Sequence, residues 1–339
     1  MRKTILGVSV LLIVAFAAYW RERAARAPLD VVYVGEMKTT LWSTTAQVRE
    51  PVVTLQYGDR LDVLNREGDY VQVRVDKGPT GWVEERQLMS SDLWAQAVSL
   101  NNEAMKMPVE AVGHTKVISN LHADPGRDTA RIRQLTGGVP VELLERRVAN
   151  IARTQTAEGD DAMGPPESTG KKEDWWLVRA HPKDHGAVTG WVLSRFVELD
   201  MPAPLPDYAS SANMHPIAWF MLNEVRDPSG TEKPQYLVAG THGEEGQACD
   251  FTMIRAYTWW PKHQQYETAF IDNDLCGYLP LTVTPATQPG GDVFFRFKAA
   301  EETGPDVREY RMRQTIIRRV GTTENAAAGK RILAKKRGA

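Results

Sequence analysis

The chain has 339 residues, of which 42% are hydrophobic and 25% charged, and its formal net charge at pH 7 is −2. This length predicts two or three domains, and the composition is that of an ordinary globular protein. A net charge so close to zero gives no general attraction to nucleic acid, so we expect no nucleic-acid partner.

The first 20 residues predict an export or membrane signal. Arg2 and Lys3 precede an uncharged apolar run from Ile5 to Trp20. Because a helix needs ~20 residues to span a hydrocarbon core of ~30 Å, this run is short and predicts either an uncleaved signal-anchor or a cleaved signal peptide. Tyr19 and Trp20 favour the anchor, since aromatic residues concentrate at the membrane interface.

Two segments of the chain share one pattern of apolar, glycine and aromatic residues. Each contains Leu-x-x-Gly, then Asp-aromatic-x-x-Val-Arg, and closes with Thr-Gly-Trp-Val at residues 80–83 and 189–192. Apolar residues alternate between these points, which predicts half-buried strands. The glycine before each tryptophan lets the backbone bend where the indole covers a core. Since repeats decide architecture, we predict two small β-barrels.

Three connecting segments separate or interrupt these units. Residues 92–107 space their apolar side chains as a helix does, with Ser91 or Asp92 as N-cap, and we expect this helix to pack across one barrel or bridge both. The second repeat has an insertion around 146–172, rich in charge, Gly and Pro, which predicts a mobile surface loop. Residues 201–206 form a stiff Pro-rich linker.

Residues 213–321 predict a third, β-rich unit. Short candidate strands separated by polar breaks indicate a sandwich or one to two propeller-like blades, and we favour a small sheet packed on its neighbour. Cys249 and Cys276 are the two cysteines of the chain, and in an exported protein they predict one disulfide. The candidate strands are Ile217–Val225, Gln235–Gly240, Phe251–Trp260, Gln265–Asp272, Gly277–Val283, Asp292–Lys298 and Arg308–Val320.

The order of motifs in residues 31–90 and 114–199 resembles the bacterial SH3 (SH3b) domain. The Asn-Val-Arg type of first strand common in that family is not obvious in either copy. The resemblance implies SH3-like barrels, export, and binding of peptidoglycan or its peptide stems through aromatic and polar side chains. For Trp82 and Trp191 the alternative is burial in the barrel cores. The candidate contacts are Tyr57, Asp69, Tyr70 and Trp82 in the first copy and Asp174, Trp175 and Trp191 in the second.

Catalytic motifs are scarce. Cell-wall peptidases of the NlpC type often accompany SH3b domains and use Cys with His, but Cys249 is followed only by His263 and lacks the usual Asp-Cys-Ser order. His181-x-x-x-His185 and the segment 242–245 have ligand-type residues, yet a proline interrupts the first and the second lacks further ligands at a matching spacing. We predict no enzyme activity, no metal and no cofactor.

The sequence therefore predicts an all-β binding or scaffolding protein of the bacterial cell envelope. We expect it in the inner membrane with most of the chain periplasmic, or secreted if the signal is cleaved, with a cell-wall polymer or an envelope protein as partner. The alternatives are a spacer that presents the C-terminal β domain to a protein, and a cell-wall hydrolase with its site in that domain. The predicted organisation is signal and linker 1–30, barrel 31–90, helical linker 91–113, barrel 114–199, Pro-rich linker 200–212, β-rich domain 213–321 and a disordered basic tail 322–339.

Overall fold

The computed structural model describes residues 28–152, 168–183, 186–243, 245–273, 275–288, 290–301 and 304–320. The predicted N-terminal hydrophobic helix, the centre of the insertion at 153–167 and the basic tail lie outside these residues. The described part is mostly β-strand with two short helices, which confirms the predicted fold class at that level. Neither of these helices has the length and apolarity needed to cross a membrane.

The first repeat folds into an antiparallel sheet of seven strands. They are β1 (Asp30–Val34), β2 (Lys38–Trp42), β3 (Pro51–Gln56), β4 (Arg60–Glu67), β5 (Tyr70–Val75), β6 (Thr80–Glu84) and β7 (Leu88–Ser90). Their spatial order is β3-β2-β6-β5-β4-β1-β7. The predicted alternation holds in the first half of β4, in β5 and in β6, where buried residues alternate with more exposed ones. Leu61, Val71, Val73 and Val83 enter one buried cluster.

The second repeat forms another seven-stranded sheet with the same connectivity. Its strands are β8 (Ala111–Thr115), β9 (Ser119–His122), β10 (Arg131–Leu135), β11 (Pro140–Ala152), β12 (Ser168–Ala180), β13 (Val188–Leu193) and β14 (Val197–Leu199). The spatial order is β10-β9-β13-β12-β11-β8-β14, which is the order of the first sheet with seven added to each strand number. The two sheets therefore share one topology.

The structure corrects the predicted loop of the second repeat. Residues 146–152 and 168–172 are not a loop, because they extend β11 and β12 into a long antiparallel hairpin. Arg146 lies opposite Trp176, and Asn150 lies opposite Lys172. The loop prediction rested on the Gly, Pro and charged residues at 158–166, which lie outside the described residues. At 146–152 and 168–172 the prediction is wrong, because these residues form a strand ladder in which the Arg146 side chain is buried.

The helix predicted over 92–107 is α1 (Ser91–Ala104). Its N-cap is Ser90 rather than Ser91 or Asp92, because the Ser90 hydroxyl accepts a hydrogen bond from the Leu93 amide at 3.2 Å. The chain divides into two compact units, one with residues up to 99 and 130–134, and the other with residues 100–129 and those from 135 onward.

The C-terminal segment forms two four-stranded antiparallel sheets that follow the short helix α2 (Leu205–Ser211). The first holds β15 (His215–Arg226), β16 (Glu232–Thr241), β17 (Met253–Trp260) and β18 (Gln265–Asp272), and the second holds β19 (Gly277–Thr284), β20 (Val293–Glu301), β21 (Gly304–Arg313) and β22 (Ile316–Val320). One buried core takes Leu237 and Ile254 from the first and Phe295 and Tyr310 from the second. This two-layer packing matches the sandwich alternative. The single candidate strand at 308–320 is two strands, separated at Gln314, whose φ is 55°.

The predicted disulfide is confirmed. Cys249 and Cys276 are bonded, with their Cα atoms 5.1 Å apart. The bond links the residue that precedes β19 to the loop before β17. Phe251, two residues after Cys249, is fully buried in the core of the sandwich. The bond therefore ties a loop to the edge of the main C-terminal core.

We expect the double variant Cys249→Ser/Cys276→Ser to lose about 3 kcal/mol of unfolding free energy, because the bond closes a loop of sequence separation 27. Guanidinium unfolding of the full chain with and without a reductant measures this. The wild type under reducing conditions should match the variant. A reductant that shifts the variant as much as the wild type would contradict the assignment.

Candidate functional site

Three aromatic side chains share the outer face of the first sheet. Trp42 on β2 lies opposite Trp82 on β6, and Trp82 lies opposite Gln72 on β5. Tyr70 is two residues before Gln72, and residues two apart on a strand point to the same side. All three rings are partly exposed. We call Trp42, Tyr70 and Trp82 the aromatic face.

Gly81 explains why the tryptophan of the motif points outward. A Cβ at Gly81 would lie 2.6 Å from the carbonyl oxygen of Trp42 and 2.7 Å from Cγ of Leu41. No side chain fits at these distances, so only glycine lets β2 and β6 approach this closely. The next residue, Trp82, takes the opposite side of β6 and thus stands beside Trp42.

The positively charged side chain of Arg49 lies on the aromatic face. The guanidinium carbon of Arg49 is 4.4 Å from the centre of the Trp42 ring and 5.5 Å from that of Tyr70. Its Nη1 donates a hydrogen bond to the Tyr70 hydroxyl at 3.1 Å. Such cation–π contacts are worth about 0.5–1 kcal/mol each at exposed sites. Sequence reasoning missed Arg49, because one arginine in a loop forms no pattern.

The other two predicted contacts of the first repeat have different surroundings. The Tyr57 ring packs edge-on against Trp94 of α1 at 5.5 Å between centroids, and the Arg133 guanidinium lies 5.4 Å from it. Burial raises the pKa of the Tyr57 hydroxyl. Asp69 is exposed in the turn between β4 and β5. Of the four predicted residues, the structure thus brings Tyr70 and Trp82 together on one face.

The second sheet carries the counterpart of the aromatic face in buried form. His122 on β9 lies opposite Trp191 on β13, in the register that joins Trp42 to Trp82. The His122 ring packs edge-on against Trp175 with centroids 5.3 Å apart. Trp175 and Trp191 are only 1% and 2% exposed. Trp191 is therefore a core residue, as the alternative interpretation of the sequence predicted. Its equivalent in the first repeat, Trp82, is not buried.

The end of α1 and the neighbouring strands cover this second face. Ala104 is buried in one cluster with Trp175 and Trp191. The Thr189 hydroxyl donates to Asn101 Oδ1 at 2.9 Å, which fixes this end of the helix. Because both tryptophans lie under the chain itself, a ligand cannot reach them in this conformation. The other residues packed with them are Leu100, Met107, Leu144, Ala149, Leu177, Leu193 and Phe196.

Asp174, the remaining predicted contact, belongs to a buried ion cluster. Its Oδ1 accepts hydrogen bonds from Arg146 Nη2 at 2.5 Å and from the Gly246 amide at 3.0 Å. The Arg146 side chain is 4% exposed and also donates to the Cys249 carbonyl at 3.1 Å and to Asp250 at 3.3 Å. Since buried charges need partners, this cluster connects the hairpin of β11 and β12 to the disulfide loop.

Glu110 adds a titratable group beside this cluster. It is 6% exposed, and burial, followed by the nearby Asp250 carboxylate, raises the pKa of Glu110 to about 7. Burial raises the pKa of Asp250 as well. Sequence reasoning missed Glu110, because this residue lies outside both repeated motifs.

The two histidine motifs form polar contacts in loops. His181 Nε2 lies 3.3 Å from the Glu142 carboxylate, and His242 Nδ1 lies 2.6 Å from the carbonyl oxygen of Asn213. Their motif partners His185 and Glu244 lie outside the described residues. Within the described ranges, no three His, Cys, Asp or Glu side chains are grouped so that they could hold a metal ion.

Comparisons with known proteins show distant likeness. No protein-family model and no curated protein matches the chain. Among solved structures, the chain is similar to an NlpC/P60 family protein from Bacillus cereus ATCC 10987, at 12% identity and a TM-score of 0.20, over 70% of this chain and 93% of that one. It is also similar to NlpC2 from Trichomonas vaginalis, at 9% identity and a TM-score of 0.17, over 82% and 91% of the two chains. TM-scores this low support no inference about function.

The two motif tryptophans should differ in their effect on stability. We expect Trp191→Ala to cost about 3–5 kcal/mol, as other large buried side chains do, and Trp82→Ala to cost about 1 kcal/mol, because its ring is partly exposed. Urea unfolding of the two full-length variants compares them directly. Equal losses would show that the two faces are covered to the same extent.

Stability should also depend on Glu110 between pH 4.5 and 7. The pKa is about 7 in the folded chain and its ordinary value is 4.5, so in this range the folded state holds more protons and unfolding free energy falls as pH rises. We expect Glu110→Gln to stabilise the chain by about 2–3 kcal/mol at pH 8 and hardly at all at pH 4. Urea unfolding at both pH values tests this, and an equal effect at both would contradict it.

Proposed function

We propose that this chain is an exported, membrane-tethered binding protein of the bacterial cell envelope, and that its first repeat contacts peptidoglycan or its peptide stems. In this proposal both repeats are SH3b-like barrels, in line with the motif order in the sequence and the shared strand order of the two sheets. The chain binds its partner without catalysis and without a cofactor.

The aromatic face of the first repeat carries this proposal. Trp42, Tyr70 and Trp82 stand together on one side of the sheet with their rings partly exposed. Partly exposed aromatic rings grouped beside a few polar groups are typical of ligand surfaces. The counterpart in the second repeat is buried, so we assign binding to the first repeat and a structural role to the second.

Export is supported by two features of the chain. The apolar run from Ile5 to Trp20 is the segment that we propose as the membrane anchor. The disulfide between Cys249 and Cys276 suits an oxidising compartment outside the cytoplasm. On this basis we place most of the chain in the periplasm.

A hydrolase of the NlpC type is the weaker alternative. Such an enzyme needs a free thiolate, and both cysteines are engaged in a disulfide. A spacer that presents the C-terminal sandwich to a protein partner is the second alternative. Trp260, which is 44% exposed at the end of β17, is the residue that we use to separate this alternative from the proposal.

Sedimentation of the full-length chain, purified in detergent, with isolated sacculi tests the proposal. We expect Trp42→Ala/Trp82→Ala to weaken binding about tenfold or more, as loss of aromatic contacts at an interface does. The variant should be about 1–2 kcal/mol less stable than the wild type and still folded at the assay temperature, which a thermal melt checks. Trp260→Ala is the control and should bind like the wild type. A wild type that does not sediment would favour the spacer, and a loss confined to Trp260→Ala would move the site to the sandwich.

A further inference from the structure

Arg49 presents a positive charge on the aromatic face, and within the described residues no carboxylate pairs with it. Its guanidinium contacts are the rings of Trp42 and Tyr70 and the Tyr70 hydroxyl. None of the ion pairs formed by the described residues includes Arg49. The side chain is half-buried, so its charge is less completely hydrated than that of a free surface arginine. A ligand anion at this point would complete its interactions.

In the second repeat the equivalent arginine has a carboxylate partner. There the guanidinium carbon of Arg147 lies 4.8 Å from the centre of the Trp191 ring. Its Nε donates to Glu145 Oε1 at 2.6 Å and its Nη2 to Oε2 at 3.2 Å, a bidentate carboxylate pair. Each repeat thus places an arginine on its aromatic cluster, but in the part of the chain that the structure describes only the arginine of the second repeat has a carboxylate partner.

The neighbouring strand suits an extended peptide. β3 is the end strand in the order of the first sheet, and its Pro51 lies opposite Trp42. Val52 and Val53 on this strand are 39% and 37% exposed. An extended peptide can hydrogen-bond to such an edge and place alternate side chains in neighbouring pockets. The charge, the rings and the free edge therefore lie within one part of the first sheet.

We propose that Arg49 binds a free carboxylate of a cell-wall stem peptide while Trp42 and Trp82 pack against the peptide's side chains. This inference rests on the proposed function and adds the chemical group that is recognised. The guanidinium forms two parallel hydrogen bonds to the carboxylate, a geometry that a lysine ammonium cannot reproduce. The stacking of Arg49 on the rings orients this fork before the ligand arrives, which lowers the entropy cost of binding.

The test compares untreated sacculi with sacculi whose carboxylates have been converted to methylamides by carbodiimide and methylamine. Sedimentation is measured for the full-length wild type, Arg49→Gln and Arg49→Lys. Arg147→Gln is the matched control, because it removes the arginine that lies over Trp191 and is already paired with Glu145. We expect Arg49→Gln to bind untreated sacculi about tenfold more weakly than the wild type, Arg49→Lys to be intermediate, and Arg147→Gln to equal the wild type.

The decisive result is how amidation combines with the Arg49 substitution. Amidation should weaken wild-type binding about as much as Arg49→Gln does, and should cause no further loss in that variant. Wild-type binding that is equal for both preparations would overturn the role of Arg49 and leave the proposed function standing. If amidation weakened the binding of the wild type and of Arg49→Gln by the same factor, the role of Arg49 would also be overturned and the proposed function would stand. A wild type that binds neither preparation would overturn the proposed function and this inference with it.

Discussion

Close packing at one glycine in each repeat fixes the side of the sheet on which the motif tryptophan lies. In the first sheet a Cβ at Gly81 would lie 2.6 Å from the Trp42 carbonyl oxygen of β2. In the second sheet a Cβ at Gly190 would lie 2.8 Å from the Cβ of Leu121. Each glycine therefore takes the inner position. The tryptophan that follows must point outward, opposite Trp42 or His122. The aromatic face and its buried counterpart both follow from this constraint.

The same local geometry serves two purposes in one chain. In the second repeat the outward tryptophan is covered by the end of α1 and by Phe196 and becomes part of a core. The buried pair of Arg146 and Asp174 then connects that repeat to the disulfide loop of the sandwich. In the first repeat the rings remain partly exposed. In our proposal the residues that cover each face therefore decide which repeat binds a ligand and which repeat packs on the C-terminal sheets.

Much of the fold follows from the local sequence pattern, but the exposure of the motif tryptophans does not. Period-two alternation and the Thr-Gly-Trp-Val motif gave the strands of both repeats, and the cysteine count gave the disulfide. Identical motifs nevertheless place Trp82 at the surface and Trp191 in a core, because the covering residues come from other parts of the chain. The composition of the insertion around 146–172 predicts a loop, whereas Arg146 lies in a strand and pairs with Asp174 and Asp250, which are distant in sequence. Non-local contacts of this kind leave no periodic signal.

Hydroxyl-radical footprinting of the full-length chain, with and without soluble muropeptides released from sacculi, tests the central claim most directly. The claim is that the first repeat alone presents its aromatic residues to the cell wall. Trp42 and Trp82 should be oxidised in the free protein and protected by the muropeptides, while Trp191 should resist oxidation in both states. Oxidation of Trp191 in the free protein, or protection confined to Trp260 in the sandwich, would contradict the account.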